Sequence, residues 1–252
     1  MAILDRIVSA RVFSLAFSVM AVTVPAHAGR VVANNDEWAT SDTGYTSAGF
    51  ASTNNFVTNL ATFLAGAGGN ILVYSDVFAL NQSFFKASLA AAGFNVTYGK
   101  ASSDLTGYDA VFLSETLPGS VSGLTTFVNG GGGVYIGAGT GFPGPAGEAA
   151  RWNPFLASFG LQLDSVYNIC CGNDPADNTN HALLNGVTQL YYRDGNTVSA
   201  AAGNPYASVI EYSSNGVGLI GVYDSALPEP STYFLVGAGL FAAYLKRRSA
   251  PR

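Results

Sequence analysis

Charge is what this sequence has least of. Only 11% of its residues are Asp, Glu, Lys or Arg, against about 25% in an ordinary soluble domain. The shortage is uneven. Of eleven Lys and Arg, six sit near the ends, at Arg6, Arg11, Lys246, Arg247, Arg248 and Arg252, which leaves the middle with five cations against fourteen acids. Five scattered cations cannot build the basic patch that a phosphate backbone requires, so nucleic acid is excluded as a partner. An acidic body suits cations or neutral polar ligands better. Histidine is scarce too. Past residue 28 only His181 remains, so a Ser-His-Asp triad would have to use it, and it reads as a hydrogen-bonded structural residue. Ser114 and Thr140 are conceivable nucleophiles, but neither lies in a proper elbow. No Gly-Lys-Ser/Thr follows any glycine cluster, which leaves a P-loop without support.

Cysteine is nearly absent, and the two present are neighbours, Cys170 and Cys171. A zinc site lacks its other ligands. A trans peptide holds adjacent Cα atoms about 3.8 Å apart, below the usual disulfide window of about 4.4–6.8 Å. In an oxidising compartment this leaves a strained vicinal disulfide, a bridge to another molecule, or two free thiols open. The oxygen-rich stretch 172–180 lacks the ligand spacing of a calcium loop and reads as a solvated turn. No metal and no cofactor is expected.

What is present in abundance lies first at the two ends. Residues 1–28 have the order of a secretory leader. Arg6 and Arg11 precede an apolar core from Val12 to Val24, and Ala26-His27-Ala28 supplies the small-x-small site for signal peptidase. At the other end, residues 227–252 hold three parts in sequence. Pro228-Glu229-Pro230 lacks two backbone donors and fixes two φ angles, so it separates what flanks it. Residues 233–245 (YFLVGAGLFAAYL) carry no charge, although 13 residues are few beside the roughly 20 of a standard span. The basic tail at 246–252 favours the cytoplasmic side. This cassette resembles the PEP-CTERM sorting signal of exosortase-processed surface proteins. The resemblance implies export, an inner-membrane intermediate with a short transmembrane helix, and processing near Pro228, Glu229 and Pro230 by an exosortase-type enzyme. It further implies release to the cell surface or exopolysaccharide of a Gram-negative bacterium.

The stretch between, residues 29–226, is long enough for one domain with its own core. Short apolar runs alternate with helical patterns. RVVA from Arg30, ILVY from Ile71, residues 94–98, AVFL from Ala110 and VYI from Val134 read as strands. Helices are expected at 52–64, where Phe56, Leu60, Phe63 and Leu64 form a stripe, from about Ser83 to Ala92, and at 121–128. The alternation predicts βαβ units, that is, an α/β fold with a mostly parallel sheet and helices on both faces. After Gly141 the prolines 143, 145 and 154 read as loop punctuation, with a short helix at 153–159. The remainder reads as edge strands and hairpins.

In such sheets ligands sit beyond the carboxyl ends of the strands. The residues that follow those ends include Asp36, Glu37, Trp38, Asp76 and Glu115. These carboxylates with an aromatic ring could hold a cation or a sugar, or they could simply cap the next helices. Gly137-Ala138-Gly139-Thr140-Gly141 has the spacing of a nucleophile elbow. Together with the alternation, it resembles the class I glutamine-amidotransferase-like and ThuA-like group, of flavodoxin-like architecture. His181-Ala182-Leu183-Leu184-Asn185-Gly186-Val187 is similar to a stretch found in non-catalytic relatives. Where the catalytic members have cysteine, this chain has Gly139, so the resemblance implies a non-enzymatic domain used for binding or structure. The alternative from the residues themselves is a carbohydrate-active or other hydrolase working through strand-end carboxylates. Candidate ligand-binding residues are thus Asp36, Glu37, Trp38, Asp76, Glu115 and His181.

Overall fold

The computed structural model describes residues 29–76, 78–101, 103–177 and 180–225. Residues 1–28, expected as a leader, and the segment at 227–252, including its apolar stretch, lie outside the described residues. Among the described residues no helix is long and apolar enough to cross a membrane.

A seven-stranded sheet forms the centre, in the order β10-β11-β1-β5-β4-β2-β3. Its parallel part is β1 (Arg30–Asn34), β5 (Gly133–Gly137), β4 (Ala110–Leu113), β2 (Asn70–Val73) and β3 (Asn95–Tyr98). β11 (Gly218–Asp224) runs antiparallel to β1, and β10 (Ala207–Tyr212) runs antiparallel to β11. Strands β2 to β5 thus stand in the 2-1-3-4 order of a flavodoxin-type sheet, and the fifth place is taken by the N-terminal strand.

Both faces are covered, which explains why the strands read as unbroken apolar runs. On one face α1 (Asp42–Ser47), α2 (Phe50–Ala65) and α3 (Ser83–Ala91) bury Phe56, Leu60, Phe85 and Leu89 against Val32, Ile71, Val73, Phe112 and Tyr135. On the other, α4 (Val121–Asn129) and α5 (Pro145–Leu156) bury Leu124, Trp152 and Phe155 against Val31, Ala33, Val111, Val134 and Ile136. A ribbon of β6 (Leu161–Ile169) and β9 (Gly195–Ala200) adds Leu161, Leu163 and Val198 to this second face. A second ribbon, β7 (Gly172–Pro175) with β8 (Gln189–Tyr192), adds Leu190 and Tyr192 to the first.

The sequence expectations hold for the parallel strands and for the helices over 50–65, 83–91 and 121–129, and they miss elsewhere. Residues 145–156 form a 12-residue helix followed by a 3-10 turn at 157–159, where a loop and a short helix were expected. Pro145 sits in the first helical turn, where its missing N–H removes no intrahelical bond. The polar loop after β1 holds a 3-10 turn (Glu37–Thr40) and α1, capped by Asp36 and Ser41. The Asp42 carboxylate accepts from Phe84 N at 2.9 Å, so α3 takes its cap from the start of α1. Residues 172–175, expected as part of a turn, pair with β8, and β11 lies inside the main sheet rather than at its edge.

Candidate functional site at the carboxyl edge of the sheet

Two places on the carboxyl edge have neighbouring strands whose connections leave to opposite faces. These are β2 beside β4 and β5 beside β1, and such divergence is where open α/β sheets leave a crevice. The first is stitched shut. The hydroxyls of Ser75 and Ser114 are hydrogen-bonded at 2.6 Å across it. Lys100 Nζ lies 2.8 Å from Asp76 and 2.5 Å from Glu115, and Asp76 N donates to Glu115 Oε1 at 3.0 Å. Two of the expected site residues are therefore together, held by one ammonium group.

The second place, between β1 and β5, holds the buried acids. Backbone bonds from Ala138 N to Asn34 O (2.9 Å) and from Glu37 N to Ala138 O (2.6 Å) tie the two strand ends together. Asp36 is fully buried. It accepts from Trp38 N at 2.9 Å, from Asp194 N at 2.8 Å, and from Arg193 N. Arg193 and Asp194 form the turn from β8 to β9, so one carboxylate binds the exit of β1 to a loop about 160 residues further on. Burial pushes the Asp36 carboxyl up to about 7, against the pull of its three backbone donors.

Glu37 is 3% exposed, and its Oε2 has no hydrogen-bond partner among the described residues. Burial, then the charges of Asp36 and Glu148, push its carboxyl up to about 8, while Ala79 N–H pulls it down. The shift favours the protonated acid, which can donate a hydrogen bond. Trp38 turns the other way. Its half-buried ring lies 4.6 Å from the Phe78 ring and 6.3 Å from the Tyr191 ring, and the Arg193 guanidinium stands 4.5 Å over it. The guanidinium thus makes a cation–π contact with the ring.

His181 is elsewhere. Its Nδ1 accepts from Leu183 N at 3.2 Å and its ring packs 5.7 Å from Phe63, near Asp224, at the opposite edge of the sheet. Burial depresses its pKa. Among the described residues, Ser114 and Thr140 thus have no imidazole within reach. Cys170 and Cys171 are bonded to each other across a cis peptide bond, and Cys171 Sγ lies 3.6 Å from Arg193 O. Among the described residues no three His, Cys, Asp or Glu side chains are grouped to hold a metal ion.

Sequence reasoning missed Glu148. This buried acid in the first turn of α5 accepts from Gly139 N (3.1 Å), Thr140 N (2.7 Å), the Thr140 hydroxyl and Tyr167 OH (3.3 Å). It pins the glycine-rich turn after β5. The available signal was an acid three residues after Pro145, as expected for the first turn of a proline-started helix. Asp194 was missed as well, although Asp194-Gly195 is a hairpin-turn dipeptide.

Gly139 occupies the elbow position with φ +70°, and a Cβ placed there would lie 2.5 Å from Asp194 O and 2.9 Å from the Asp36 Cα. The central position of the elbow is thus filled by neighbouring backbone.

The PEP-CTERM protein-sorting motif matches residues 226–248. The chain accordingly ends in a signal for sorting to the cell surface through exosortase. No curated protein and no solved structure gives a match.

Proposed function

We propose that residues 29–225 are an amidotransferase-like domain without its nucleophile, displayed at the cell surface, which binds an uncharged saccharide of the envelope or exopolysaccharide. The observation that carries this reading is the half-buried Trp38 ring, framed by Phe78, Tyr191 and Arg193 and set beside the buried Asp36 and Glu37. Sugar rings have apolar faces that stack on aromatics, and hydroxyls that bond to carboxyls and guanidinium groups. The acidic body disfavours anionic ligands. Support for the amidotransferase-like part comes from the flavodoxin-type order of β2 to β5 and from the elbow-like turn at Gly139.

Processed protein purified from cells should be retarded in gels containing envelope polysaccharide, and Trp38→Ala should weaken the interaction by about two- to tenfold, given a stacking contact of roughly 0.5–1.5 kcal/mol. Equal retardation of the variant overturns the assignment.

The second reading is hydrolysis, favoured by Glu37, an acid shifted toward its protonated form and with one unpartnered oxygen among the described residues. Against it, Asp36 and Glu148 are occupied by backbone donors, and Asp76 and Glu115 by Lys100. Release of reducing ends from the same polysaccharide, lost in Glu37→Gln, would establish it in place of binding alone.

A further inference from the structure

The two ends of the described chain meet. Ser225 donates to Gly29 O through its backbone N–H (3.2 Å) and its hydroxyl (3.1 Å), and Arg30 pairs with Asp224 at 3.1 Å. This junction belongs to a continuous backbone lattice along the amino edge of the parallel strands. Asn95 N donates to Gly69 O, Asp109 N to Asn70 O, Gly133 N to Asp109 O, Arg30 N to Gly132 O and Asp224 N to Tyr206 O. The rim so formed comprises the turns at 65–70, 92–95, 106–109, 129–133 and 201–206, in which Asp109 is the one charged residue, beside the Arg30–Asp224 pair. The carboxyl edge carries the buried acids Asp36, Glu37 and Glu148, and the more accessible Asp76, Glu115 and Asp194, which pair with Lys100 and Arg193.

The sorting segment starts at residue 226, directly after this rim. Seven residues separate Ser225 from Tyr233, where the uncharged stretch begins. Fully extended, that connection reaches at most about 28 Å. A body of this size has a radius of gyration of roughly 16 Å, hence a diameter of about 40 Å. Turning it over, so that the carboxyl edge met the bilayer, would take a tether of roughly 60 Å, half its circumference. β11 also runs from the carboxyl edge toward the rim, so the chain leaves the domain heading away from Trp38.

We infer that, while the tail is inserted, the Gly-rich rim faces the lipid surface and the Trp38 ring is held on the far side of the domain. The inference rests on the sorting segment being membrane-inserted. It is independent of what that side binds.

The test uses the full-length, unprocessed chain in vesicles of phosphatidylethanolamine and phosphatidylglycerol containing a headgroup-linked acceptor dye. Azidophenylalanine at Phe142 (80% exposed), Ala202 or Asn129, both exposed, carries the donor dye and leaves Cys170 and Cys171 untouched. Energy transfer from positions 129 and 202 should exceed that from 142 by about threefold, as a height difference of most of the domain's diameter requires. Equal transfer at all three positions, or the reverse order, overturns the orientation. A chain that does not float with the vesicles overturns it as well, by removing the anchor. Loss of polysaccharide binding with the transfer order intact would count against the proposed ligand alone.

Discussion

The carbonyl oxygen of Asp194 occupies the space that a side chain at residue 139 would need. Restoring a thiol with Gly139→Cys would therefore force the β8–β9 turn off the end of β1, where Asp36 holds it. The left-handed backbone at this position adds about 1–2 kcal/mol for any L side chain, and the overlap adds about 1–3 kcal/mol. Urea unfolding should show a loss of roughly 3 kcal/mol and no gain of glutaminase activity. A fully stable variant would show that the turn yields freely.

Asp36→Asn replaces a double acceptor by a side chain with one donor end, which must face the N–H groups of Trp38, Arg193 or Asp194. A buried donor left against a donor costs about 2–3 kcal/mol. The expected result is a lower urea midpoint with earlier exchange of the Arg193 and Asp194 amides. Unchanged protection there would mean that the turn is held by other contacts.

For Glu37 the folded value near 8 lies above the ordinary 4.5. Between these values the folded chain keeps a proton that the unfolded chain has released, so stability falls as pH rises through this window. The slope for one such proton is about 1.4 kcal/mol per pH unit at most. Glu37→Gln should flatten the stability profile between about pH 4.5 and 8 and leave the variant the more stable form at the upper end. A profile as steep as that of the parent would assign the slope to Asp36.

Lys100→Met tests the stitched crevice. Asp76 is 63% exposed in its side chain, so solvent screens much of this pair. Removal of the ammonium should cost less than about 1 kcal/mol and abolish the salt dependence of that part of the stability. A loss of several kcal/mol would show that the Lys100 cluster carries the β2–β4 junction.

The parallel half of the fold was legible because its signals are local. Phe56 and Leu60 recur at helical spacing, and ILV and AVFL are too apolar for anything but covered strands. What escaped was tertiary. RVVA announces a strand but not that it fills the fifth place, and the LIGV run at 219–222 is as consistent with an edge as with the interior position it takes. Pro145 was misleading because the same residue that breaks a helix inside also starts one. In the site, Asp36, Glu37 and Trp38 could be found from their position after β1, whereas Glu148 and Asp194 reach them only through a turn and a ribbon that no spacing reveals. His181 was attractive for its rarity, and rarity carries no information about place.

The position of β1 also sets a timetable. Its neighbours in the sheet are β5, paired Val31 to Val134, and β11, paired Val31 to Tyr223. The first strand to be synthesised thus waits for partners about a hundred and then nearly two hundred residues later, and contacts of such long range close slowly. A chain threaded amino end first through a translocation pore cannot complete this sheet until residue 224 has emerged. The strand that closes the pairing of β1 is thus the one that adjoins the sorting segment, so the sheet is completed last at the end that carries the address label.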